Sequence, residues 1–256
     1  MEPAMNPTEP ATPAEPRLRT DAAAWASPVN RIDVAAIPAG ARSLNVAGRR
    51  LSGPIQGFGS LWQKTYRVNL GAAAAPAEVV QTFKAHLPEL QPPQNRFFPS
   101  VAGVAPGEVV LINARVSGMP ISTGVLVLYA DDEAFTLMTP EGHPESGMVT
   151  FTAHRSGEDT IAQIQSLARA NDPIYELGFR LMGGSQAQEA IWRHVLASLA
   201  ERYAISAPVE LDKIRVDARL QWREARNVWR NAIIRTTLYT LAAPGRGLRG
   251  ALRRAK

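Results

Sequence analysis

The chain has 256 residues, 45% of them hydrophobic and 20% charged, with no cysteine. Its 28 Lys and Arg against 23 Asp and Glu give a formal charge of +5. The apolar fraction excludes a fully disordered chain, and the missing Cys excludes disulfides, thiolate metal sites and cysteine nucleophiles.

Residues 1–16 hold three Glu, no Lys or Arg and no apolar run. They predict neither a secretory signal nor a transit peptide. Six of the 20 prolines fall within the first 28 residues, so residues 1–30 read as a disordered Pro/Ala-rich tail. Residues 31–59 read as an irregular Gly-rich leader packed on the domain behind it.

The body spans about 60–205. Trp62–Leu70 alternates, with Trp62, Lys64, Tyr66, Val68 and Leu70 on one face, which predicts a half-buried strand. Pro76–Leu87 predicts a helix, with Val79, Val80, Phe83 and Leu87 at helical spacing. The irregular stretch that follows, to Gly107, is longer than an ordinary connector and suits a cavity cover. Strands are then predicted at 108–116, 122–129, 134–139, 148–155 and 160–170. The loops between them are short, which implies antiparallel hairpins. Asp172-Pro173 opens a helix over 174–182, Gly183-Gly184 breaks it, and Ser185 reads as the N-cap of a second helix with Gln188 as its capping-box partner.

The last 50 residues hold 12 Lys/Arg and 4 Asp/Glu, a net +8 that leaves −3 for the remainder. Here 217–243 predicts one long amphipathic helix, in a basic helical tail over 206–256. Trp222, Ala225, Trp229, Ala232 and Ile233 form its apolar stripe, with Arg219, Arg223, Arg226 and Arg230 beside it.

Strand, helix, strand run and final helix predict an α+β fold in which a curved antiparallel sheet grips the C-terminal helix. Three motifs point the same way: Gly57-Phe58-Gly59 with Leu61-Trp62-Gln63-Lys64-Thr65-Tyr66, Gly142-His143-Pro144-Glu145-Ser146-Gly147, and Asp172-Pro173-Ile174-Tyr175. On these residues the stretch 57–204 resembles uncharacterised bacterial domains of the START-like / Bet v 1-like (helix-grip, SRPBCC) superfamily. That resemblance implies a cavity between sheet and helix for lipids, sterols, polyketides or other apolar small molecules.

Catalytic motifs fail one by one. His143-Pro144-Glu145 contains the H-x-E of zinc deaminases, but the Cys pair they need is missing. Gly183-Gly184-Ser185-Gln186-Ala187 departs from G-x-S-x-G at its last position and follows a predicted helix. Gly245-Arg246-Gly247-Leu248-Arg249-Gly250 matches G-x-G-x-x-G six residues before the last one, where no dinucleotide fold can follow. His86, His143, His154 and His194 lie far apart, so no metal is predicted, and no cofactor.

The candidate pocket residues are Tyr66, Arg115, Tyr129, His143, Glu145, Gln163 and Arg169. On the 160–170 strand, Gln163, Gln165 and Arg169 share one face and Ala162, Ile164, Ser166 and Ala168 the other; periodicity leaves open which is concave. The expected function is a binder or carrier of an apolar small molecule or lipid. Arg219, Trp222, Arg223, Arg226, Trp229 and Arg230 would then contact an anionic membrane surface or a partner. Two alternatives stand: a cavity enzyme of the aromatase/cyclase-like proton-transfer type, and an interaction module without ligand. Nucleic acid is disfavoured as a partner because no recognition fold accompanies the arginines. The cytoplasm is the default location, with the basic helix offering peripheral membrane contact.

Overall fold

The computed structural model describes residues 21–243, Ser117 excepted. The 1–20 part of the predicted tail and the Gly245–Gly250 motif lie outside the described residues. In chain order the elements are β1 (Leu61–Asn69), α1 (Pro76–His86), β2 (Asn95–Phe98), β3 (Val109–Val116), β4 (Met119–Ala130), β5 (Ala134–Met138), β6 (Glu145–Ser156), β7 (Asp159–Ala170), α2 (Pro173–Leu181), α3 (Gly184–Arg202), β8 (Glu210–Asp217) and α4 (Ala232–Leu241). Short 3-10 helices occupy Ala22–Ala24 and Trp222–Arg230.

All eight strands join one antiparallel sheet, in the order β2-β3-β4-β5-β6-β7-β1-β8. Its inner face curves around α3, which packs on β1 and β7, while α1 packs on β6 and β7. This is the predicted helix-grip arrangement.

The strands show why the chain folds this way. β3 reads Val-Val-Leu-Ile because both its faces are covered. Val110 and Ile112 enter the core under the helices, and Val109 and Leu111 meet Ile32 and Val46 of the leader on the other side. The inner core is centred on Phe83, Phe135 and Phe151. Phe135 and Phe151 stack at 4.4 Å between centroids, and Trp192 of α3 meets Phe151 edge-on at 5.7 Å. Burying each such ring stabilises the fold by roughly 1.5–3 kcal/mol.

Several expectations need correction. The stretch before Gly107 contains a strand, β2. β6 begins at Glu145, so half of the Gly142–Gly147 motif is strand rather than loop. α3 starts at Gly184, with Gly183 in the left-handed region as its N-cap. Ser185 does not cap it; its hydroxyl is taken by Lys64 and Glu189. The single helix over 217–243 is replaced by the end of β8, a 3-10 helix and α4. The break has a local cause: Asn231 leaves helical geometry, and its side chain accepts from the Ile234 amide to start α4 afresh. Of residues 21–30, Trp25 bridges to Tyr129 and Ala26 joins the leader's apolar cluster.

The C-terminal segment is fastened to the body through buried polar groups. Asn227 donates to the carbonyls of Gln56 (2.9 Å) and Asn171 (3.0 Å), and the Ala232 amide donates to the Gly142 carbonyl at 2.9 Å. Gly142 has φ +90, and a side chain there would run into the Arg230 carbonyl, so glycine is required twice over.

Candidate functional site

An apolar cavity of about 180 Å³ lies between the inner sheet face and α3. Phe97, Ile112, Val125, Leu137, Val149 and Ile191 supply much of its wall. Arg115 and Ala187 line it and are exposed, which puts its mouth beside the start of α3. A second, polar pocket of about 270 Å³ adjoins it, and Glu145, Ser166, Ala168, Phe179 and Gln188 line both.

Register builds this junction. Val149 pairs with Ser166, Ser166 with Lys64, and Lys64 with Lys213, so one row of the inner face runs from apolar to cationic. Lys64 is buried beneath α3 and is satisfied there. Its ammonium donates to Gln188 Oε1 (2.9 Å) and Ser185 Oγ (3.1 Å) and pairs with Glu189 at 3.1 Å. Burial pushes the Glu189 carboxyl up, but Lys64 and the Ser185 hydroxyl outweigh this and hold it below its ordinary value.

Gln188 Nε2 donates to Glu145 Oε2 at 3.1 Å. Burial is the largest influence on Glu145 and raises its pKa, against the opposing pull of Lys64 and Gln188. His143 Nδ1 lies 3.1 Å from both the backbone amide and the carbonyl of Glu145, and burial depresses its pKa to about 4. Both residues are partly exposed and line the cavity. Two further lining residues carry buried polar atoms with no partner: Thr123 Oγ1 and Trp192 Nε1. Among the described residues, no group of three or more His, Asp or Glu is placed to hold a metal ion.

Residues 62–198 match the family described as a domain of unknown function, DUF1990. The chain belongs to this family. No curated protein matches it. Among solved structures it is similar to the KanY protein, at 13% identity and TM-score 0.44, over 55% of this chain and 96% of that one. It is similar to a START superfamily protein from Mycobacterium smegmatis at 18% identity and TM-score 0.39, over 57% and 98%. It is also similar to the di-domain ARO/CYC StfQ of the steffimycin biosynthetic pathway, at 12% identity and TM-score 0.43, over 57% and 51%.

Within the DUF1990 segment the structure brings together three of the pocket residues named from sequence: His143, Glu145 and Arg115. The others lie elsewhere. Tyr66 is fully buried in the core; burial, with Glu189 and Glu145 nearby, pushes its hydroxyl up. A bulge between Val127 and Tyr129 turns Tyr129 away from the Thr123–Val127 face, towards Trp25 and Asp131. Gln163 faces outward and accepts from Arg67 at 2.8 Å. Arg169 borders the polar pocket, but its guanidinium is spent on structure. It donates to the carbonyls of Pro54, Gly59 and Arg219 and pairs with Asp217 at 2.6 Å. Ala162, Ile164, Ser166 and Ala168 therefore form the concave face of β7.

Outside the DUF1990 segment, Arg219 pairs with Asp217, Arg223 with Glu224 and Arg230 with Glu141. Arg226 is exposed, as are Trp222 (72%) and Trp229 (83%). The described part of the tail therefore docks through Asn227 and Asn231 and through the buried Ala232 and Ile233, while its tryptophans stay mostly exposed, Trp222 meeting Phe58 by one edge. No helix among the described residues is long and apolar enough to cross a membrane.

Sequence reasoning missed Lys64, Thr123, Gln188 and Trp192 as site residues. Lys64 had a signal: it is the one cation on the otherwise apolar face of β1. Thr123 and Trp192 had none, because an unpartnered polar atom is visible only once the fold is known.

Proposed function

We propose that this chain binds an apolar small molecule in the cavity between the sheet and α3, with one polar end of the ligand held at the Glu145–Gln188 junction. The observation that carries this reading is the pair of unpartnered atoms, Thr123 Oγ1 and Trp192 Nε1, in a largely apolar wall that turns polar at His143, Glu145 and Gln188. A buried polar group without a partner costs about 1–3 kcal/mol, and a ligand that supplies the partner recovers it. Native mass spectrometry and solvent extraction of the purified full chain test the reading. A bound apolar species, lost after extraction, is expected; an empty protein that takes up no added ligand would contradict it.

The same reading places the protein at an anionic membrane surface. Ile174, Leu177 and Leu181 form an exposed stripe on α2, which packs against the 3-10 helix carrying Trp222 and Trp229 among its arginines. Exposed aromatic and aliphatic side chains beside Arg suit the headgroup boundary. Flotation with anionic vesicles tests this on the full chain, with Trp222→Ser/Trp229→Ser as the comparison. Truncation at 206 is unsuitable, since it would strip β8 from the sheet. Equal flotation of both proteins would sink the membrane contact.

A second reading, proton transfer on a bound ligand, is favoured by His143 and Glu145 lining one cavity, where burial disfavours the charged form of each. It requires the protein to accelerate deuterium exchange at the acidic carbon of a bound diketone, and Glu145→Gln to abolish the acceleration while retaining binding.

A further inference from the structure

The polar pocket beside the cavity has a charge imbalance that the apolar reading does not use. Lys64, Arg169, Arg180, Lys213 and Arg215 line it against the carboxylates Glu145, Glu176 and Glu189. Burial favours the protonated form of Glu145, which widens the imbalance. The cations differ in what already holds them. Arg169 is committed to Asp217 and three carbonyls, Lys64 to Glu189, Gln188 and Ser185, and Arg180 to Glu176 at 2.5 Å. Lys213 shares Glu189 with Lys64 at 3.3 Å and stays half exposed. Arg215 rests over the Trp62 ring at 5.8 Å, and its guanidinium edge is left for another acceptor.

Lys213 and Arg215 come from β8, an edge strand beyond the DUF1990 segment. Register on β1 sets Lys213 opposite Lys64 and Arg215 opposite Trp62. Both cations thus overhang the polar end of the row that begins in the apolar cavity. Ile214 and Val216, the alternate positions, are exposed on the other side of the strand. On the cavity side of the strand Leu211 packs on the core, and Lys213 and Arg215 follow it to the rim of the pocket, where both are exposed and placed to meet an anion.

Building on the cavity reading, we infer that the ligand is an anionic amphiphile. Its apolar part fills the cavity under α3, and its carboxylate or phosphate head lies in the adjoining pocket on Lys213 and Arg215. Lys64 and Gln188 form the partition between the two parts. Together the two spaces reach the roughly 300–1,000 Å³ of ordinary small-molecule sites, which the apolar cavity by itself does not.

Calorimetric titration of the full chain with a ten-carbon fatty acid and with the alcohol of equal length tests the assignment, near neutral pH and at low salt. The acid is expected to bind about tenfold or more tightly than the alcohol. Lys213→Ala/Arg215→Ala, on an exposed edge away from the core, is expected to remove that preference and leave the alcohol's affinity unchanged. Raising the salt should weaken the acid alone. Equal affinity for acid and alcohol, or a preference that survives the double substitution, would overturn the headgroup assignment and leave the cavity reading standing. Failure of both ligands to bind would overturn the two together.

Discussion

Asn231 Nδ2 donates a 3.0 Å hydrogen bond to Asp172 Oδ2, joining the start of α4 to the N-cap of α2. Asp172 Oδ1 accepts from the amides of Ile174 (2.9 Å) and Tyr175 (3.1 Å). The neighbouring Asn171 side chain accepts from Ser146, whose hydroxyl in turn meets Ser52 at 2.8 Å. Leader, body and C-terminal segment therefore share one buried polar chain.

Asp172→Ala breaks that chain at its centre. It removes a helix cap worth about 1 kcal/mol and leaves the Asn231 amide unpaired, at a further cost of about 1–3 kcal/mol. Thermal unfolding of the variant is expected several degrees lower, and limited proteolysis is expected to cut first within 218–243. An unchanged melting temperature would show that the chain is incidental.

Gly142→Ala is expected to destabilise by about 2 kcal/mol or more, because φ +90 and the Arg230 carbonyl both exclude a side chain. Chemical denaturation measures this. Gly118→Ala, also at positive φ but with open space around it, isolates the backbone cost and should be milder.

Acid stability follows from His143. Between its ordinary 6.5 and about 4 the folded protein holds this ring neutral while the unfolded chain takes up a proton. Its contribution is complete above 6.5 and is lost as the pH falls through about 4. His143→Gln is expected to flatten this loss by about 3 kcal/mol in denaturation series across that range. Glu145 runs the other way. Its raised pKa means that stability falls as the pH rises from its ordinary 4.5 towards the folded value. Glu145→Gln should remove that fall. If both variants track the wild type at every pH, neither group is held in its neutral form.

Thr123→Val replaces a buried, unpartnered hydroxyl by a methyl group of similar size. The ligand-free variant is expected to be more stable by about 1 kcal/mol and to bind polar-ended ligands more weakly. Paired melting and titration measurements check both signs. A loss of stability would mean that the hydroxyl serves the fold rather than a ligand.

Much of the body was legible in the sequence because its signals are local and dense. Alternation in Trp62–Leu70, helical spacing in Val79–Leu87 and the short turns among the later strands each bound one element closely. β2 was not legible: four residues between prolines carry too short a pattern. β8 was hidden because its alternation pairs cations with aliphatic residues, so the charge of the segment masked the strand. In 222–230 the tryptophan spacing suggested an α-helix, whereas a 3-10 helix repeats every three residues and buries Asn227 instead. At the site, His143 and Glu145 could be named from their motif. Their carboxylate and imidazole do not pair with each other; Glu145 reaches across to Gln188 on α3, a contact that exists only after the helix closes over the sheet.

The most direct test is calorimetric titration of the full chain with 1-naphthol, a two-ring phenol suited to the apolar cavity, against the Ala168→Leu variant. Ala168 lines both the cavity and the polar pocket, so the larger side chain fills the space a ligand needs. The expected result is saturable binding at one site in the wild type, lost in a variant that melts normally. Equal binding by both proteins, or by neither, would contradict a ligand site between the sheet and α3.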